Sequence, residues 1–462
     1  MSRPRRIALR ALLWVCLGLA TGCQAVPQPT TAEPELRVLA KWVQIVPAPI
    51  EDNGAQPGTV GALVRFVLPE RSTCPPLAVE GGAGPEIATS PRGNPAPQRF
   101  PVVVCEALLP PFPGPVTLIF PDGQTHDLPA LGRGMAPGEV AIVGDTGCPG
   151  LRTQRCAPPT WPFAEVAAQA SGHKGNGGRK PRLVIHLGDY VYGGTDYWAN
   201  WQAEFFTPAR PLLEAAPWVF ARGNHESCGA NAGQGWMLFF DPRVGAATES
   251  CDEDWEKRFF FAPYALDPMA GLRLIVMDSA NANRDTAGAQ EAFAARFDQV
   301  MSSLIPPPGR EEAVWLISHV AIWSVAGVEP ETEVMKLPRH GTLHKALETT
   351  RHGERPLLGV DVVLSGDFHG YQKAWPLASD WPPVQYVAGN GGAKLGRLVL
   401  ERPPEEMTDS VKESGEAFFP AGDTAAELRI AFETVVAFGF LRASPPEQGK
   451  AWRFTPIFLE QD

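Results

Sequence analysis

Five short stretches of the sequence carry residue types that hold metal ions. They are GDTG with Asp145, GDYVY with Asp189 and Tyr192, RGNHE with Asn224 and His225, SHV with His319, and SGDFHG with Asp367 and His369. Carboxylates and a phenolate are hard donors, and imidazole is borderline, so the set suits first-row and oxygen-seeking cations. Each stretch alone is a weak signal: Gly-Asp is common turn chemistry, and a single Tyr is an ordinary packing residue. Gathered at one place they would make a metal centre able to activate water.

What could gather them is the element that precedes each one. VAIV (140–143), RLVIHL (182–187), WVFA (218–221), VWLI (314–317) and VDVVL (360–364) are apolar, β-branched runs, and each ends at one of the five stretches. RLIVM (273–277) and VQYVA (384–388) have the same character. Between strands lie helical patterns; in AQEAFAARFDQVMSSL, Phe293, Phe297, Val300, Met301 and Leu304 share one face, a core stripe. Buried strands alternating with helices predict an α/β fold with a largely parallel sheet and helices on both sides. In such sheets ligands bind outside the carboxyl ends of the strands, so residues more than two hundred positions apart would converge at one edge.

Upstream the pattern differs. From Leu36 to Leu131 short β-type runs (LRVLAKWVQIV, GALVRFVL, FPVVVC, PVTLIF) are separated by Gly/Pro turns, which predicts a smaller N-terminal β-sandwich domain over 36–131. GRGMAPGE (132–139) is expected to be a linker and 140–462 the catalytic domain. Residues 1–23 have a basic start, a short apolar core and small residues before Cys23. Ten apolar residues are too few to span a bilayer, and LATGC resembles a bacterial lipobox. The expectation is an exported protein of the outer membrane or periplasm, held through a lipid on Cys23 by a Pro/Thr-rich tether over 24–35; secretion with cleavage nearby is the alternative. The six remaining cysteines, an even number in an exported chain, suggest disulfides. Fifteen pairings are possible; proximity favours 74–105, 148–156 and 228–251. The net charge of −11 becomes −15 once Arg3, Arg5, Arg6 and Arg10 leave with the leader, and this argues against a nucleic-acid-binding surface.

The series D-T-G, GDxxY, GNHE, a strand-terminal His and GDxH resembles the calcineurin-like metallophosphoesterases, specifically their purple acid phosphatase branch, across about 141–392. Tyr192, three residues after Asp189, is the discriminating feature. The resemblance implies a sheet sandwich flanked by helices and hydrolysis of phosphate mono- or diesters by metal-activated hydroxide, with a small phosphorylated compound as substrate. It implies two metal ions, Fe(III) with a divalent Mn, Fe, Mg or Zn. Asp145, Tyr192 and His369 would hold the first, Asp189 would bridge, and Asn224, His319 and residue 367 would hold the second. His225 would act on the substrate, with Asn224 beside it. Phosphate esters are anions that repel hydroxide, so cationic charge fixed beside the nucleophile is what this chemistry needs.

One residue departs from that pattern: the family has His two positions before the final His, and here it is Asp367. An extra carboxylate would leave an M(III)/M(II) pair with its ligands neutral rather than cationic, binding phosphate less and acidifying water less. It would also turn the second site towards Mn(II), Mg(II) or Fe(II). The alternative function is a non-catalytic or single-metal module that binds phosphorylated ligands at the envelope. Of the remaining candidates, His186 lies inside a strand and is expected to be satisfied in the core. His340 and His344 are expected at the surface, HKGNGGRKPR (173–182) as a solvated loop, and GNGG (389–392) at the rim of the site.

Overall fold

The computed structural model describes residues 37–460 outside 49–57, 81–85, 110–113, 151–153, 173–178, 194–195, 231, 246–249, 252–260, 283–286, 308, 310, 324–326, 329–334, 337–340, 352–354, 378–380, 397–410, 420–427 and 448–450. The leader, the tether, Cys23, His340 and residues 173–178 of the basic loop therefore lie outside the described residues. Among the described residues no helix is long and apolar enough to cross a membrane.

Two large sheets dominate. The first has nine strands in the order Arg453–Phe458, Gly439–Ser444, Val140–Val143, Leu183–His186, Trp218–Phe220, Ala40–Pro47, Val60–Pro69, Val102–Leu109 and Ser90–Pro91. The second has eight, in the order Tyr264–Met269, Leu272–Val276, Ala313–Ile317, Val362–Ser365, Val384–Ala388, Tyr371–Pro376, Leu428–Val436 and Val411–Phe419. Every β-branched run identified in the sequence is a strand. Those that end at site residues pair in parallel: Val140–Val143 with Leu183–His186, the latter with Trp218–Phe220, and Ala313–Ile317 with Val362–Ser365. Antiparallel strands flank these parallel centres.

Strand alternation explains the layering, because successive side chains point to opposite faces. Val140 and Ile142 join Leu183, Ile185 and Val219 in a core shared with Leu274, Val276, Trp315, Ile317 and Leu364 of the second sheet. The sheets thus face each other across one apolar layer. Ala141 and Val143 point the other way, onto Phe163, Val166, Phe205, Leu212 and Phe240 of the helical layer. On the outer face of the second sheet, Ile275, Val314, Leu316 and Val363 meet Phe293, Phe297 and Val300, with Met301 and Leu304 partly buried against them. The stripe seen in the sequence is therefore core.

The N-terminal region corrects an expectation. Sandwich packing is present: Val43, Val64, Phe66 and Leu68 bury with Leu118 and Leu128 of a small three-stranded sheet and with Leu77 and Phe120 beside its strands. Yet one layer of that sandwich is the nine-stranded sheet itself. Ala40–Pro47 pairs in parallel with Trp218–Phe220, Gln44 opposite Trp218, and Leu36–Asp462 forms one unit. Buried ion pairs seal the join: Arg65 and Arg92 both reach Glu106 while donating to the carbonyls of Phe239 and Met237. Nor is 132–139 a free linker. Met135 is buried in the inter-sheet core, Ala270 N–H donates to its carbonyl, and Arg133 pairs with Asp267 at 2.6 Å.

All three proximity pairings of cysteines are disulfides: Cys74–Cys105, Cys148–Cys156 and Cys228–Cys251.

Candidate metal centre

Asp145, Asp189, Asn224, His319 and Asp367 each stand two to four residues beyond the end of a parallel strand. The three aspartates share an uncommon backbone state, with φ of 56°, 62° and 64°. Non-glycine residues avoid this left-handed region, and Asp is among the few that tolerate it. The turn folds each carboxylate back over its strand end, towards the inter-sheet edge. Close approach also needs glycine. A Cβ on Gly223 would lie 2.2 Å from Asp189 N and Oδ1, and one on Gly366 would lie 2.5 Å from Asp145 Oδ2.

The carboxylates of Asp145 and Asp189 and the imidazole of His369 offer donor atoms all within 4.8 Å of one another. Tyr192 Oη completes this group, 3.1 Å from Asp145 Oδ1, 2.8 Å from Asp189 Oδ2 and 2.9 Å from His369 Nε2. A second group forms on the other side of Asp189. His319 Nε2 lies 3.4 Å from Asp189 Oδ1 and 3.8 Å from Asp367 Oδ1. The Asn224 amide sits 2.8 Å from His319 Nε2 and about as close to both Asp189 oxygens as a hydrogen bond requires, 3.2 and 3.1 Å. The His225 ring lies 4.1 Å from that of Tyr192, tilted at 45°, and its backbone N–H donates to Asp189 Oδ1 at 3.0 Å. All eight residues singled out in the sequence meet here.

Both histidines are held for donation of a lone pair. His319 Nδ1 is 2.7 Å from Leu187 O, and His369 Nδ1 is 2.7 Å from Lys394 O. A carbonyl only accepts, so each Nδ1 carries the proton and each Nε2 points bare into the centre. The Asn224 group facing His319 is then the amide NH₂.

Charge argues for cations. Burial, then the Asp189 and Asp367 charges, push the Asp145 carboxyl well above the ordinary range. Burial followed by Asp145 and Asp189 does the same to the Tyr192 hydroxyl. Four anionic donors cannot all ionise in a buried cluster unless positive charge joins them. The residues present therefore fit two metal ions sharing Asp189.

Two supporting carboxylates were not evident from composition or spacing. Glu226, fully buried, accepts N–H bonds from Asp189, Tyr190 and Gly223 at 2.9, 2.9 and 3.1 Å; its place in GNHE was the available signal. Glu204 accepts from Cys148 and Tyr192 at 3.0 and 2.9 Å, and nothing in NWQAEFF marks it. His186 is a core residue as expected. Gly188 N–H donates to its Nδ1, its Nε2 faces Thr146 Oγ1 at 2.9 Å, and burial holds it neutral. His344 is partly buried beside Glu348, 3.3 Å away, away from the centre's residues. In GNGG, Gly389 abuts Asp145 Oδ2 and Asn390 donates to Ala437 O.

Comparison with known proteins places the fold. The chain is similar in fold to purple acid phosphatase PPD1 from yellow lupin (Lupinus luteus) seeds, with 14% identity over 87% of this chain and 69% of that one and a TM-score of 0.52. It also aligns with PhoD at 12% identity over 90% of this chain and 88% of that one, TM-score 0.43, a likeness too weak to carry an argument. No curated protein matches the sequence. A family model described as calcineurin-like phosphoesterase matches residues 138–371, the stretch holding the five strands that end at site residues and the eight site residues themselves. The chain belongs to the calcineurin-like phosphoesterase family.

Proposed function

We propose that the chain is an exported dinuclear-metal hydrolase of phosphate mono- or diesters, of the purple acid phosphatase type. The observation that supports this most is the position of Asp189, with Tyr192 at one carboxylate oxygen and His319 near the other. On this reading Asp145, Tyr192 and His369 would hold one ion and Asn224, His319 and Asp367 the other, with Asp189 available to both. The hard phenolate suits Fe(III) at the first position, and the second suits a divalent ion. When bound, such a pair supplies the nucleophile at neutral pH and neutralises phosphoryl oxygens.

The chain's own groups do the rest. His225 is half-buried at the mouth of the centre, where it can donate to a phosphoryl oxygen or protonate the leaving group. Asn224 offers a neutral dipole beside it. The pinned Nδ1 protons of His319 and His369 keep both rings from rotating. Export and anchoring through Cys23 form part of the same proposal and rest on the leader sequence.

Hydrolysis of an aryl phosphate and of a bis-aryl phosphodiester, under a screen of Fe, Mn, Mg and Zn, tests the activity. Turnover of either, with about two metal ions per chain, is the expected result. Asp367 favours one competing reading, a binding module without turnover; a single ion bound and no hydrolysis under any metal would establish it over the enzyme.

A further inference from the structure

Two of the loops that carry ligands in the proposed centre, Asp145–Cys148 and Asp189–Gly193, lie against each other. Thr146 N–H donates to Asp189 O at 2.9 Å, and a Cβ on Gly147 would come within 2.7 Å of the Tyr190 carbonyl and the Tyr192 ring. Among the described residues the element that follows each loop is a helix, starting at Phe163 and at Trp198, and not a strand. Glu204 bridges the loops instead. Its Oε2 accepts the Cys148 N–H at 3.0 Å and the Tyr192 N–H at 2.9 Å, and Gly193 N–H points at both oxygens, 3.2 and 3.3 Å away. One carboxylate thus clasps both loops, and it takes the backbone of the very residue whose hydroxyl touches Asp145, Asp189 and His369.

The helix delivering it is shaped for the task. Trp198–Trp201 continues into a wide π-helical turn, Gln202–Phe206, before Thr207–Leu213 resumes the α-helix. Glu204, Phe205 and Phe206 are consecutive buried residues, which a regular helix face does not accommodate. The wide turn seats two phenylalanines in the helical core and leaves the carboxylate facing the loops; such turns concentrate at functional sites. Gly193 completes the fit, since a Cβ there would meet Glu204 Oε1 at 2.2 Å.

We propose that Glu204 is a positioning residue for metal binding, setting Tyr192 relative to Asp145 by holding the N–H groups of Cys148, Tyr192 and Gly193. This role rests on the dinuclear reading above. Removal of such supporting hydrogen bonds typically lowers metal affinity by 10–100-fold.

The test compares full-length wild type, Glu204→Gln and Glu204→Ala by Mn(II) titration and by the visible phenolate-to-Fe(III) charge-transfer band after Fe(III) loading. Glu204→Ala is expected to weaken Mn(II) binding by at least about 10-fold and to shift or abolish the band. Glu204→Gln, which keeps one acceptor oxygen, should fall between. Variants that melt at lower temperature yet bind Mn(II) as wild type does, with an unaltered band, would mean that Glu204 only stabilises the fold, and the proposal fails. If Glu204→Ala does not fold, Glu204→Gln decides by the same two measurements. Wild type that takes up neither metal overturns the dinuclear reading itself, and the role of Glu204 with it.

Discussion

His319 joins the two sheets at Asp189. It follows a strand of the second sheet, yet its Nδ1 sits 2.7 Å from Leu187 O of the first, and its Nε2 lies 3.4 Å from Asp189 Oδ1. One imidazole therefore serves as a structural donor on one side and as a ligand-type acceptor on the other.

That double role makes His319→Ala informative. Losing the donor leaves Leu187 O buried and unpaired, a cost of about 1–3 kcal/mol, to be measured by urea unfolding of the metal-free protein. Losing the acceptor should drop bound metal from two ions to one and lower aryl phosphate hydrolysis by roughly 10²-fold or more. Metal content unchanged from wild type would exclude His319 as a ligand.

Asp367→His tests the charge of the centre. Asp367 faces His319 at 3.8 Å, and its own N–H donates to Asp145 Oδ2 at 3.1 Å. Replacing the carboxylate by imidazole should raise Zn(II) uptake relative to Mn(II) and Mg(II), strengthen phosphate inhibition and increase turnover. Metal analysis, a phosphate inhibition constant and a pH–rate profile check it. If all three match wild type, the added negative charge has no consequence for the site.

Two buried groups outside the centre should give stability opposing slopes with pH. Burial, reinforced by Lys180 and Lys41, lowers His126 to about 4, so between about 6.5 and 4 the unfolded chain binds a proton the folded one refuses. Stability falls through that window as pH drops, by about 3 kcal/mol. Burial raises Asp196 to about 6 against the N–H groups of Trp201, Gly235 and Gln234. Here the folded chain keeps a proton that the unfolded one releases near 4, so stability falls as pH rises to about 6, by about 3 kcal/mol. The two nearly cancel in wild type. His126→Phe should expose a loss of stability on going from pH 4 to 6, and Asp196→Asn a loss in the opposite direction. Urea midpoints across pH 4–7 measure both, and parallel curves for all three proteins would rule the linkage out.

The parallel strands and the site were legible because both are written locally. A run such as VAIV is buried on both faces and must be a strand, and a Gly-Asp after it must turn. When five such runs, three of them followed by Gly-Asp, occur in one chain, α/β geometry leaves their ends at one edge. The disulfides were legible for a similar reason, since each links cysteines near in sequence.

The N-terminal region was legible in part. Alternating apolar residues and Gly/Pro turns specify strands and hairpins, and they formed. What those patterns do not specify is the neighbour on the outer edge: Gln44 finds Trp218, 174 positions further on, through backbone hydrogen bonds that any strand can make.

Thus the sequence by itself determined the donor types, their order, and the strands that carry them, because side-chain chemistry and hydrophobic period are local properties. Only the tertiary structure decided that Asp189 lies between two donor groups, that Nδ1 of both His319 and His369 is engaged by backbone carbonyls, and that Glu204 and Glu226 brace the loops. It also decided that the first strands extend the nine-stranded sheet. Each of these is a contact between distant segments, set by shape, burial and hydrogen-bond geometry; GDYVY and GNHE point to Asp189 and Glu226, but nothing local marks Glu204, the carbonyl partners of the histidines or the added strands.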